Sequence, residues 1–278
     1  MNNVKQLNAQ RGSKTGVKTP WFRVIKTGES IRQRIFCLPH AGGSAGYFRQ
    51  WRDAVPAHTE LIAVQYPGRE ERLNHLCIDN MEDMVSALFT QFLENPSLLR
   101  EPFVIFGHSM GASIAYELTL KLLDAGFKLP KTLIASATDA PGHANPTHFH
   151  ISSDGSLIQE IVRLNPSLSF LQEHEDLLQM ILPSLRADYK LIESYGKRNA
   201  KRPPLPLPII KLIGEDDDEL SRKDALLWRN QTSTAFSLRV FQGGHFYLAE
   251  HYQGVMRTIM EAFDDNVVFP PTTPYHLP

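Results

Sequence analysis

The sequence predicts an α/β fold: a mostly parallel sheet with helices on both faces and a helical insertion. Short apolar runs recur along the 278 residues, and helix-length segments separate them. Runs this continuous mark strands buried on both faces, as in parallel sheets. One run, Phe103-Val104-Ile105-Phe106, leads straight into Gly107-His108-Ser109-Met110-Gly111 and then into a helical stretch, Ala112 to Ala125. A strand, a tight glycine turn and a helix in that order belong to the same architecture.

Residues 1–20 carry four bases, Lys5, Arg11, Lys14 and Lys18, and no acid. They lack the apolar segment of a secretory signal, and a disordered extension is expected. A single domain is expected over residues 21–265. Its first strand runs are Ile35-Phe36-Cys37-Leu38, Leu61-Ile62-Ala63-Val64 and Phe103 to Phe106. Thr132-Leu133-Ile134-Ala135, Ile209 to Ile213 and Phe236 to Phe241 follow. Helices are expected near Met81 to Leu98, Ser109 to Ala125, Arg222 to Arg229 and Ala249 to Phe263.

Residues 141–202 interrupt the rhythm with helical patterns and no strand. Ser153-Asp154 suits a helix start, followed by an apolar face of Leu157, Ile158, Ile161 and Val162. Leu177, Leu178, Ile181, Leu182 and Leu185 make a second stripe. The insertion falls between the strand after the Ser109 turn and the strand ending at Gly214, so a lid over the site is expected. Residues 266–278 form a tail rich in proline, which no helix accommodates.

Bulk properties narrow the function. A net charge of −1 offers no basic field for nucleic acid. No stretch approaches the about 18 continuous apolar residues of a membrane span. Two cysteines, Cys37 and Cys77, rule out a disulfide framework and suit a reducing, cytoplasmic setting.

Chemistry concentrates at strand ends. The Gly-His-Ser-Met-Gly turn fits a nucleophile elbow, with Ser109 raised at the sheet's carboxyl edge. A plain glycine turn with Ser109 as helix cap is the bland alternative. A serine hydroxyl needs a base, and the base needs an orienting acid. In α/β-hydrolases the chain order is Ser, acid, His. Gly214-Glu215-Asp216-Asp217-Asp218 ends one strand and supplies the acid. Asp217 has the usual offset from Gly214, with Asp216 and Asp218 as alternatives. Gly243-Gly244-His245 follows the next strand and supplies the base, with His251 a weaker competitor. Two backbone N–H donors are expected to form the oxyanion hole: Met110, after the nucleophile, and Ala41, in the loop Pro39-His40-Ala41-Gly42-Gly43. His40 and His108 read as polar packing around the elbow.

These motifs together resemble the type II thioesterases that accompany nonribosomal peptide and polyketide synthases. The matching segments are Phe36 to Ala45, Gln65-Tyr66-Pro67-Gly68-Arg69-Glu70, Phe106 to Ala112, Leu185-Arg186-Ala187-Asp188-Tyr189 and Gly243 to Leu248. They span residues 33 to 265, and the Tyr-Pro-Gly-Arg-Glu and Arg-Ala-Asp-Tyr elements are the most specific. The resemblance implies hydrolysis of acyl groups from the phosphopantetheine arm of carrier proteins, in an editing role. It implies Ser109 as nucleophile, Asp217 as acid and His245 as base, with no cofactor or metal, and a monomer. Arg69 and Glu70 are expected to hold the loop beside the site. The alternatives are a medium-chain fatty-acyl thioesterase, a general carboxylesterase, an acyltransferase and a ligand-binding scaffold.

Overall fold

A computed structural model describes residues 19–195 and 202–264. The expected N-terminal extension up to residue 18 and the Pro-rich tail lie outside the described residues.

Among the described residues, seven strands form one sheet: β1 (Phe22–Lys26), β2 (Gln33–Leu38), β3 (Thr59–Val64), β4 (Phe103–His108), β5 (Leu133–Ser136), β6 (Ile209–Gly214) and β7 (Phe236–Phe241). Their order is β1-β3-β2-β4-β5-β6-β7. Only β1 runs antiparallel, against β3, and the other pairs are parallel. The chain leaves β2 toward one edge and β4 toward the other, so these adjacent strands flank a topological switch point. Ligand sites of open α/β sheets form there, beyond the carboxyl ends of the strands.

Side chains alternate along each strand, and both faces are covered. On one face Phe36, Leu38, Phe103 and Ile105 meet α1 (Met81–Glu94) and α2 (Met110–Asp124) through Leu88, Phe92, Ile114 and Leu118. On the other, Ile35, Cys37, Val104 and Phe106 meet Phe48 and Trp51 of a 3-10 segment, Ala45–Ala54, and Val255 and Ile259 of α6 (Tyr252–Glu261).

The insertion contains α3 (Asp154–Leu164) and α4 (Glu175–Tyr195), and no strand lies among its described residues. Ser153 caps α3, its hydroxyl accepting the Ser156 N–H at 3.2 Å. Leu157, Ile158 and Ile161 pack on Leu182, Leu185 and Tyr189 as a small separate core. Leu177, expected on that face, is exposed instead. The α4 stripe narrows toward its first turn, which no element among the described residues covers.

Three further differences have plain causes. Strand β1 escapes detection because Phe-Arg-Val-Ile-Lys is a half-buried edge strand whose charged residues, Arg23 and Lys26, leave no continuous apolar run. The first helix stops at Glu94 rather than Leu98 because Pro96 excludes α-helix from the residue before it. The segment from Arg222 is a single α-turn, α5 (Arg222–Ala225), continued as a 3-10 segment to Gln231. No helix among the described residues is long and apolar enough to cross a membrane.

Candidate active site

The elbow is built from backbone constraints. Ser109 has φ 54° and ψ −122° between β4 and α2. A non-glycine residue held there stores on the order of 1–3 kcal/mol of strain. Two hydrogen bonds hold it: the Ser109 N–H donates to the Ser136 carbonyl at 2.8 Å, and the Ala112 N–H donates to the Ser109 carbonyl at 2.9 Å. A Cβ on Gly107 would lie 2.2 Å from the Gly111 carbonyl oxygen. A Cβ on Gly111 would lie 2.2 Å from the Leu38 carbonyl oxygen and 2.5 Å from that of Pro39. Gly107 thus lets the strand end abut the first turn of α2, and Gly111 lets that turn press against the end of β2 and the loop leaving it, where Met110 and Ala41 line the same cavity.

Two more loops converge from β6 and β7. The Glu215 N–H donates to the Phe241 carbonyl at 2.7 Å and the Asp216 N–H to the Gly243 carbonyl at 3.0 Å, stitching the loops together. His245 Nδ1 lies 3.1 Å from both carboxylate oxygens of Asp217. Both side chains are buried, whereas Asp216 and Asp218 are exposed. The Glu219 N–H also donates to Asp217 Oδ1 at 3.1 Å. A carboxylate at Nδ1 favours the tautomer with hydrogen there and leaves Nε2 as the acceptor.

Ser109, His245, Ala41 and Met110 line one cavity of about 500 Å³. Its far wall comes from the insertion, with Ile161, Leu164, Leu168, Leu171, Ile181 and Leu185. One end therefore carries Ser109 and His245, and the other suits an apolar chain. The volume falls in the range of small-molecule sites.

Behind the elbow His108 Nδ1 sits 2.8 Å from the Ser136 hydroxyl, which lies 2.6 Å from the Tyr247 hydroxyl. This buried chain connects β4, β5 and the residue two beyond His245. Burial, reinforced by His245, His40 and Lys211, holds the His108 pKa far below its ordinary value. Burial also takes His40 down to about 3, helped by His245 and Arg69. Both imidazoles stay neutral near pH 7, so they add no positive charge beside His245.

Residues 33–263 match the family model described as a thioesterase domain. The chain belongs to the thioesterase family. This thioesterase is 35% identical over 242 residues to a probable cadicidin biosynthesis thioesterase of Streptomyces griseus, covering 87% of the chain and 65% of that relative. It is 33% identical over 261 residues to Thioesterase PikA5 of Streptomyces venezuelae, covering 91% of each. A solved structure of the type II thioesterase BorB from the borrelidin biosynthetic cluster superposes with a TM-score of 0.80 at 33% identity. The match covers 88% of this chain and 98% of that one. The thioesterase therefore has the α/β-hydrolase fold.

Sequence patterns do not mark Ser136 and Tyr247 as parts of the site. Tyr247 stands in the Gly-Gly-His-Phe-Tyr-Leu run, but no spacing rule pairs it with a serine 111 residues earlier. Glu70, expected to hold the loop beside the site, accepts the Ser44 hydroxyl at 2.5 Å and pairs with Arg23.

Proposed function

We propose that this thioesterase hydrolyses acyl groups from the phosphopantetheine arm of carrier proteins, an editing role for a nonribosomal peptide or polyketide synthase. Ser109 is the nucleophile, His245 the general base and Asp217 the acid that orients it. His245 takes the Ser109 proton as the hydroxyl oxygen attacks the thioester carbonyl. The Ala41 and Met110 N–H groups carry the oxyanion, each donor being worth on the order of 3 kcal/mol in the transition state. The pantetheine thiol leaves with a proton from His245. Water, deprotonated by the same imidazole, then releases the acid from the acyl-serine. Side chains and backbone do all of this without metal or cofactor, in a cytoplasmic monomer.

The observation carrying the reading is the buried Asp217–His245 contact on a cavity wall shared with a strained Ser109. The apolar far wall supports an acyl substrate, and relatives named for cadicidin and borrelidin biosynthesis support the synthase context. The test compares release of an acyl group from a phosphopantetheinylated carrier protein with cleavage of the matching oxygen ester. Faster release from the carrier, abolished in Ser109→Ala, is expected. Preference for the oxygen ester would overturn the carrier assignment.

A further inference from the structure

The two most specific sequence elements, Tyr-Pro-Gly-Arg-Glu and Arg-Ala-Asp-Tyr, lie 119 residues apart and meet in a buried contact. Arg69 donates from Nη1 to Asp188 Oδ2 at 2.6 Å and from Nη2 to Oδ1 at 2.8 Å. Asp188 is wholly buried and Arg69 is 7% exposed. The pair does more than join two elements. Asp188 Oδ2 also accepts the Gly42 N–H at 2.7 Å, and Arg69 Nη1 donates to the Gly43 carbonyl at 3.0 Å. The same turn is closed by the Gly43 N–H donating to the His40 carbonyl at 2.9 Å. Both sides of the 40–43 turn are thereby fixed, while its Ala41 borders the cavity.

We propose that Asp188, itself held by Arg69, is a positioning residue that aims the Ala41 N–H at the reacting carbonyl. Asp188 belongs to α4, so the insertion and not the sheet alone completes the oxyanion hole. This rests on the assignment of Ser109 and Ala41 under Proposed function. A bidentate guanidinium–carboxylate pair suits the task because its planar fork fixes orientation as well as distance. The alternative is a purely structural tie between α4 and the body.

The test measures kcat and KM on a carrier-bound acyl thioester in the full chain. An acyl boronic acid, whose serine adduct places an oxygen in the hole, reports on the oxyanion site. An acyl-pantetheine thioether reports on ground-state binding. For Asp188→Asn, kcat is expected to fall about 10- to 100-fold, with boronate affinity falling in step. KM and thioether affinity are expected to stay within about 3-fold, because the lost interaction belongs to the transition state. Arg69→Lys, which keeps the charge but loses the fork, is expected to fall between. The double variant Arg69→Met/Asp188→Leu guards against mere misfolding, since apolar replacement of a buried ion pair generally preserves stability. It is expected to fold, bind the thioether and remain slow. A double variant with restored stability and restored kcat would overturn the proposal, as would an unchanged kcat in Asp188→Asn. A wild-type enzyme inactive on the thioester would instead refute the catalytic assignment, and this inference with it.

Discussion

Among the five acids that follow β6, Glu215, Asp216, Asp218 and Glu219 are exposed while Asp217 turns inward onto His245. Asp217→Asn is expected to lower kcat by about 10³- to 10⁴-fold, because an amide at that place favours the wrong imidazole tautomer. Asp216→Asn and Asp218→Asn are expected to change it less than about 2-fold; steady-state kinetics on the three variants checks this. Five adjacent acids look alike in a sequence, and spacing from Gly214 alone favours Asp217. Burial separates Asp217 from its neighbours, and burial depends on the β7 loop that folds against it. Lys211 shows the opposite limit. It stands in an apolar strand run, is wholly buried, and its Nζ lies 5.6 Å from the Trp228 ring centroid. Burial pulls its pKa from 10.5 to about 7, against the opposing pull of Asp139 and Asp217. Between those values the unfolded chain holds a proton that the folded chain has released. Stability therefore rises with pH across that window, and the penalty is complete below it. Lys211→Met is expected to add about 1–4 kcal/mol near neutral pH, with the gain shrinking toward the upper end of the window. Urea unfolding at both ends checks this, and an equal gain at both would contradict it.

At the scale of elements, the elbow is the feature most legible in the sequence. The strand run, two glycines and the following helix all appear in order, because a turn this tight admits few residue types. Gly111→Ala drives a Cβ into the carbonyl oxygens of Leu38, at the end of β2, and Pro39, just after it. Backbone cannot yield as a side chain can, so a loss of about 1–3 kcal/mol is expected, together with a larger loss of activity as Met110 and Ala41 move apart. Gly155→Ala, in the first turn of α3 where nothing lies within 4 Å, is expected to stabilise the protein by about 0.4–1 kcal/mol. Thermal unfolding of both variants gives the comparison. Less legible are β1 and the ends of helices. An edge strand buries half its surface and needs no apolar run. Leu177 continues the apolar stripe of α4 in sequence, yet solvent reaches it because no neighbour among the described residues extends that far.

At the scale of the whole molecule, strand order rather than any motif brings the site together. β2 and β4 flank the switch point, so the Ala41 loop and the Ser109 elbow emerge side by side. β6 and β7 pair along six residues, which sets Asp217 beside His245. Pairing order of this kind is not written locally, although the sequence of serine, acid and histidine along the chain hints at it. The insertion then adds an apolar wall that sheet and elbow lack. Long-range contacts such as Arg69 with Asp188 are invisible to periodicity, because each partner sits in a pattern that makes sense without the other.

The central claim is that Ser109 carries the acyl group between carrier and water. The most direct measurement is intact-mass and peptide-mapping analysis of enzyme quenched during turnover of a carrier-bound acyl thioester. An adduct of acyl mass on the Ser109 peptide, absent from Ser109→Ala together with hydrolysis, is the predicted result. Undiminished hydrolysis by Ser109→Ala, with no adduct on the wild-type enzyme, would contradict it.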